Sequence, residues 1–160
     1  MQTFLPYADF EQSAKCLDMR RLGKQRVEVL QLLTAMTTGP EKKVKLGNSE
    51  IVRVTPWYNH PAAKMWCGYE RALCEYGFAV CEEWLERGYK DTCHGKIAKI
   101  FDSLDHSYFS EPNSKLVTPP WLGNEDFHAA HRSNLLRKDA DWYGQFGWTE
   151  PNDLPYIWSV

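Results

Sequence analysis

The run Met19-Arg20-Arg21-Leu22-Gly23-Lys24-Gln25-Arg26-Val27-Glu28-Val29-Leu30-Gln31-Leu32-Leu33-Thr34-Ala35-Met36 decides the fold class. Leu22, Val29, Leu30, Leu33 and Met36 recur at the spacing of one helix face, and Gly39-Pro40 ends the pattern, so a helix is expected from about Met19 to Met36. Gly23 weakens its first turn. On a second face Arg21, Lys24 and Glu28 fall three and four residues apart with Arg20 beside them, which sets one carboxylate among cations. One reading of that face is a solvated Lys24 to Glu28 pair, contributing about 0.3 to 0.5 kcal/mol. The sharper reading is a catalytic acid beside phosphate-binding residues, able to stabilise positive charge on a sugar ring during N-glycosidic cleavage.

The flanking sequence supplies further helices. Asp9 with Gln12 three residues on has the form of an N-cap and its capping-box partner, which predicts a short helix to about Leu17. Trp66, Tyr69, Leu73, Tyr76, Val80 and Trp84 form one stripe at spacings of three and four, the core face of a third helix that Pro61 can open and Arg87-Gly88 ends. A helix is expected from about Gly95 to Leu104, then an irregular stretch through Pro112, Pro119 and Pro120. Asn124 then caps a helix of roughly Glu125 to Lys138. From Lys43 to Val54 the residues alternate around a Gly47-Asn48 turn signal, which reads as a small β-hairpin. The predicted fold is all-α: a compact single-domain helical bundle over residues 1–160 with a small inserted β-hairpin at about 43–54.

With 160 residues, 43% hydrophobic and 25% charged, the chain has apolar material for one core and too little length for two ordinary domains. No run of about 18 apolar residues occurs. The opening Met1-Gln2-Thr3-Phe4-Leu5-Pro6 lacks the basic-then-apolar layout of a secretory signal, so a cytoplasmic location without membrane association is expected. Cys16, Cys67, Cys74, Cys81 and Cys93 are odd in number and hold no CxxC pair. Three of them recur every seven residues in the third helix, too far apart along it to share a metal or to pair, so reduced and mostly buried thiols are expected. The net charge of −2 taken alone argues against a polyanionic partner. Its distribution does not: Arg20 to Lys64 holds nine basic and three acidic residues, a surplus of +6, and the other 115 residues carry −8. That asymmetry is compatible with a local phosphate-binding face and equally with a solvated face that has no partner.

There is no GxSxG elbow, no Gly-rich phosphate loop and no GxGxxG. His128 and His131 stand three apart on a predicted helix, but zinc needs two more ligands that the sequence does not point to, so neither metal nor cofactor is expected. The same helix carries His128, His131, Arg132, Asn134, Arg137 and Lys138, a density of donors suited to phosphate contact. The tail after it holds Trp142, Tyr143, Phe146, Trp148, Tyr156 and Trp158. Stacking a base on such a ring contributes about 1 to 3 kcal/mol. For most of these aromatics, closing the core is the preferred reading.

Leu17-Asp18 ahead of Arg26-Val27-Glu28, His60-Pro61 leading to Glu82-Glu83-Trp84-Leu85-Glu86-Arg87-Gly88-Tyr89, and the aromatic C-terminus together resemble the endonuclease V type of pyrimidine-dimer DNA glycosylase. The sequence looks closer still to an uncharacterised bacterial and phage branch of that superfamily, through Arg20-Arg21-Leu22-Gly23-Lys24-Gln25-Arg26 and His131-Arg132-Ser133-Asn134-Leu135-Leu136-Arg137-Lys138-Asp139. The resemblance implies an all-α fold in which the hairpin is an insertion, acting as a monomer on duplex DNA with a damaged or modified base. It implies attack of an N-terminal amine on the sugar C1′ of a lesion exposed by nucleotide flipping, with an imine that permits β-elimination. It implies Glu28 as the catalytic carboxylate and Arg20, Arg21, Lys24 and Arg26 as phosphate or lesion contacts. His60, His128, His131, Arg132, Asn134, Arg137 and Lys138 complete the expected DNA-binding set. The family nucleophile belongs to a small second residue exposed when the initiator Met is removed, whereas Gln2 is too large for that removal, so the amine here is that of Met1. An ungapped count from the N-terminus puts Gly23, not Glu28, at the carboxylate position.

Three functions stay open on these residues. The leading one is a DNA glycosylase and abasic-site lyase with Glu28 and Met1 as catalytic groups. The second is a DNA-base modifying transferase on the same scaffold, its site built from the 128–138 helix. The third is a non-catalytic DNA-binding module, whose binding would weaken with salt and leave the DNA unchanged.

Overall fold

A computed structural model of the chain describes residues 1–104 and 116–159, so Pro112 lies outside the described residues. Helices α1 (Phe10–Cys16) and α2 (Met19–Thr38) are followed by strands β1 (Glu41–Leu46) and β2 (Ser49–Val54). Helices α3 (Pro61–Trp66), α4 (Glu70–Glu86), α5 (His94–Ser103), α6 (Glu125–Lys138) and α7 (Ala140–Tyr143) follow in turn. Apart from the hairpin the described architecture is helical, as expected.

Capping residues set the helix starts. Asp9 accepts from the Gln12 amide at 2.7 Å to open α1, Asp18 accepts from the amides of Arg20 and Arg21 to open α2, and Asn124 accepts from the Phe127 amide at 3.2 Å to open α6. Gly39, in the left-handed region at φ +82°, ends α2. The hairpin is antiparallel, with Val44 opposite Ile51 and Gly47-Asn48 as its two-residue turn. It begins two residues before the expected start, at Glu41, and the Thr55 amide donating to the Pro40 carbonyl at 2.9 Å closes its base.

The core forms where α2 crosses α4 and α5. Leu22, Val29, Leu32 and Leu33 of α2 pack with Leu73, Tyr76 and Val80 of α4 and Ile97 of α5, all of them fully buried. Two glycines let these helices approach. A Cβ at Gly23 would lie 2.9 Å from the Trp84 ring, and one at Gly77 would lie 2.9 Å from Val29. The residue that looked like a flaw in the first turn of α2 is therefore a seat for Trp84.

The long third helix expected from the Trp66 to Trp84 stripe is two helices. Gly68 sits at φ +84° between α3 and α4, a conformation open to glycine and costly for other residues, and the chain turns there. The stripe survives because Trp66, Leu73, Tyr76 and Val80 bury against one core from both segments. Cys67 falls in the break and is exposed, while the other four cysteines are buried. Burial pushes the thiols of Cys16 and Cys74 up to about 12.

Nothing in the hydrophobic periodicity announced the placement of the first residues. Gln2, Thr3, Phe4 and Leu5 are buried outside any helix or strand, and Thr3 Oγ1 accepts from the Trp66 indole nitrogen at 3.0 Å. Among the described residues no helix is long and apolar enough to cross a membrane.

Candidate active site at the N-terminal half of the second helix

A cleft of about 360 Å3 opens between the N-terminal half of α2, the first residues of the chain and the end of α6. Glu28 lines it and is only 6% exposed, with Oε1 3.5 Å from Lys24 Nζ. Arg20, Arg21, Lys24 and Lys138 line it as cations, and Phe4 and Tyr156 line it as aromatic rings. The 3.6-residue helix period puts positions 20, 21, 24, 25 and 28 on this side of α2, while Leu22, Val29 and Leu33 turn to the core.

Gln25 joins the parts of the site. Its Nε2 donates to Glu28 Oε2 at 2.9 Å and to the Gln2 carbonyl at 2.8 Å, and its Oε1 accepts from the Phe4 amide at 3.0 Å. The Tyr76 hydroxyl lies 2.8 Å from both Gln25 Oε1 and the Phe4 carbonyl, so its one proton serves either acceptor. Carboxylate and N-terminal segment are thus held in register by one buried amide. Met1 lines the same cleft as Glu28.

Helix α6 grips the N-terminal segment from its other side. The Leu5 amide donates to His131 Nδ1 at 3.1 Å, and His128 Nδ1 donates to the Leu5 carbonyl at 2.8 Å while its Nε2 accepts from the Gly123 amide at 2.9 Å. Arg132 donates to the Pro6 carbonyl at 2.8 Å and to Glu150 at 2.6 Å, and it also meets Glu125. Asn134 and Ser133 bind the tail through the backbone of Leu154, and Arg137 donates to the Asn152 carbonyl at 3.3 Å.

These contacts revise the sequence assignment. Met1, Glu28, Arg20, Arg21, Lys24 and Lys138 share the cleft. Arg26 does not: it pairs with Asp91 and lies 4.3 Å over the Trp84 ring, because it falls on the face of α2 turned toward the α4–α5 connection. His60 caps α3, accepting from the Ala62 amide at 3.1 Å, and packs edge-on against Trp57 and Trp158. His128, His131, Arg132 and Asn134 are buried, and their donors and acceptors hold the N-terminal segment and the tail, so they are internal fasteners where DNA contacts were expected. Arg137 is exposed but turned to Asn134 and the tail. Gly23, the ungapped candidate, offers no side chain and seats Trp84, which leaves Glu28 as the carboxylate of this cleft.

Electrostatics follow the geometry. Burial and then the cations Arg21, Arg137 and Lys24 hold Lys138 below its ordinary value, with Glu28 acting in the opposite direction. Burial and the terminal ammonium hold His60 below its ordinary value, again against Glu28, so the amine and Glu28 both reach His60 with their fields. Burial raises Tyr156 to about 12, which keeps its hydroxyl protonated.

The two α6 histidines have a measurable consequence. Burial holds His128 below the ordinary 6.5 and pushes His131 down to about 3. The unfolded chain binds their protons as pH falls through about 6.5, whereas the folded chain takes them up only at lower pH, for His131 at about 3, so stability is fully present above that window and is lost on acidification through it. Urea midpoints measured from about pH 7.5 down to about pH 4 should fall, by up to about 1.4 kcal/mol of stability per pH unit for a single histidine. His131→Gln should flatten this dependence. A midpoint independent of pH would contradict it.

Sequence reasoning missed Gln2, Gln25, Phe4 and Tyr156 in the cleft. For Gln25 a signal existed, since it stands one helical turn before Glu28. For the others none did, because their places depend on the threading of the first five residues. A family model described as pyrimidine dimer DNA glycosylase matches residues 1–96, which include every cleft residue named above except Lys138 and Tyr156. Neither curated proteins nor solved structures give a match. With the family model covering more than half of its length, the chain belongs to the pyrimidine dimer DNA glycosylase family.

Proposed function

We propose that this protein is a DNA glycosylase with abasic-site lyase activity, using the α-amine of Met1 as nucleophile and Glu28 as its acid–base partner. The observation that carries this reading is that Met1 and Glu28 line one cleft, tied through Gln25, beneath a rim of cations. Arg20, Arg21, Lys24 and Lys138 suit the phosphates of a duplex, and the half-buried Tyr156 offers a ring to an extrahelical nucleotide. At about 360 Å3 the cleft is at the small end of ligand pockets, in keeping with a single nucleotide.

In this mechanism the neutral amine attacks C1′, and its lone pair forms the N–C1′ bond as the bond to the base breaks and that electron pair leaves with the base. Glu28 takes the proton of the new ammonium. The nitrogen lone pair then forms C1′=N as the C1′–O4′ bond opens, and O4′ receives the proton from Glu28. Glu28, a carboxylate again, takes a C2′ proton to give an enamine that expels the phosphate at C3′, and water frees the amine by hydrolysing the imine.

Incubation with ultraviolet-irradiated, abasic and undamaged duplexes in the presence of borohydride tests the reading. A covalent adduct and strand cleavage are expected with the first two and not with the third. Absence of both from every duplex overturns it. The transferase alternative drew on the donors of residues 128–138, most of which are occupied in holding the N-terminal segment and the tail.

A further inference from the structure

Gln2 carries a feature that the fold does not use. It lines the cleft, is 5% exposed, and its Oε1 accepts from the Thr3 amide at 2.9 Å, which fixes the amide so that Nε2 is its other end. That nitrogen is buried and, among the described residues, has no hydrogen-bond partner. Buried donors are rarely left so, and an orphan in a candidate active site points to an acceptor supplied by a ligand. Its main chain is anchored as well: the Gln2 carbonyl accepts from Gln25 Nε2, the same atom that donates to Glu28.

We infer that the Gln2 side-chain amide is the donor to the departing base, at the ring acceptor beside its glycosidic nitrogen: O2 of a pyrimidine. This rests on the proposed attack by the Met1 amine. Consecutive Cα atoms are about 3.8 Å apart, so an acceptor met by Gln2 lies within a side chain's reach of the carbon that Met1 attacks. On a pyrimidine nucleotide the acceptor nearest that carbon is O2, on the ring atom next to N1. When the C1′–N1 bond breaks, its electron pair enters the ring and is shared with O2, which gains negative charge. A fixed donor at that oxygen binds the departing base more tightly than the resting one and so speeds bond cleavage.

Gln2→Met tests this, since it keeps the length of the side chain, removes the donor and leaves residue 2 too large for removal of Met1. Single-turnover rates are compared on one duplex with a site-specific thymine dimer and on the same duplex with a preformed abasic site, where no base remains to contact. The ratio of base release to abasic-site cleavage should fall about 100-fold in the variant, the range found on losing one donor to developing negative charge. Gln2→Leu, also without a donor, should give the same direction. An equal fall on both duplexes, or a ratio unmoved in both variants, overturns the inference while leaving the glycosylase reading intact. A parent protein inert on both duplexes overturns the glycosylase reading and this inference together.

Discussion

Glu28→Gln is expected to slow single-turnover cleavage of both dimer-containing and abasic duplexes by about 10²- to 10⁴-fold, the usual range for losing one acid–base group. The substitution keeps the volume, and Gln25 Nε2 still finds an oxygen acceptor where it now meets Glu28 Oε2 at 2.9 Å. What disappears is the group that takes and returns the proton. Binding should move the other way. Removing a negative charge from a cleft lined by Arg20, Arg21, Lys24 and Lys138 should leave affinity for the duplex equal or higher, more so at low salt. The pair of measurements separates the readings: loss of cleavage with retained binding identifies an acid–base group, whereas unchanged cleavage reduces Glu28 to a structural partner of Lys24.

Arg132→Met should have the largest effect on stability. Arg132 is 8% exposed and ties three segments together: the Pro6 carbonyl at the N-terminal segment, Glu150 in the tail and Glu125 in the first turn of α6. Removing the guanidinium leaves Glu150 without its cation, and among the described residues Glu150 Oε2 already lacks a hydrogen-bond partner. Breaking one side of a buried pair costs about 3 to 5 kcal/mol. The Glu150 side chain is 16% exposed, so the lower end, about 3 kcal/mol, is expected. Against a total of about 5 to 15 kcal/mol, the urea midpoint should shift by a large fraction. A midpoint unchanged by the substitution, with reduced DNA affinity, would return Arg132 to the role of a phosphate contact.

The difference between these residues shows which parts of the molecule a sequence reveals. Caps at Asp9 and Asn124, the alternating hairpin and the α2 periodicity are local, and each is decided within a few residues of itself. The cationic face with Glu28 was legible for the same reason, since helical spacing alone gathers positions 20, 21, 24 and 28. The break at Gly68 was hidden because the apolar stripe continues across it, and a glycine inside a stripe does not announce its sign of φ. The polar residues of α6 were read as phosphate contacts because nothing within the helix itself shows which of its donors are already taken. His128, His131 and Arg132 are buried because a segment more than one hundred residues away, Gln2 to Pro6, is threaded beside them and needs its backbone satisfied. No window of sequence contains both halves of that contact.

The proposed nucleophile is the α-amine of Met1, and its rival in the same cleft is Lys138, whose ammonium is destabilised by burial and by neighbouring cations. Borohydride trapping on an abasic duplex, followed by peptide mapping of the adduct, decides between them. The adduct is predicted on the α-amine of Met1, and an adduct on the Lys138 side chain would overturn that assignment.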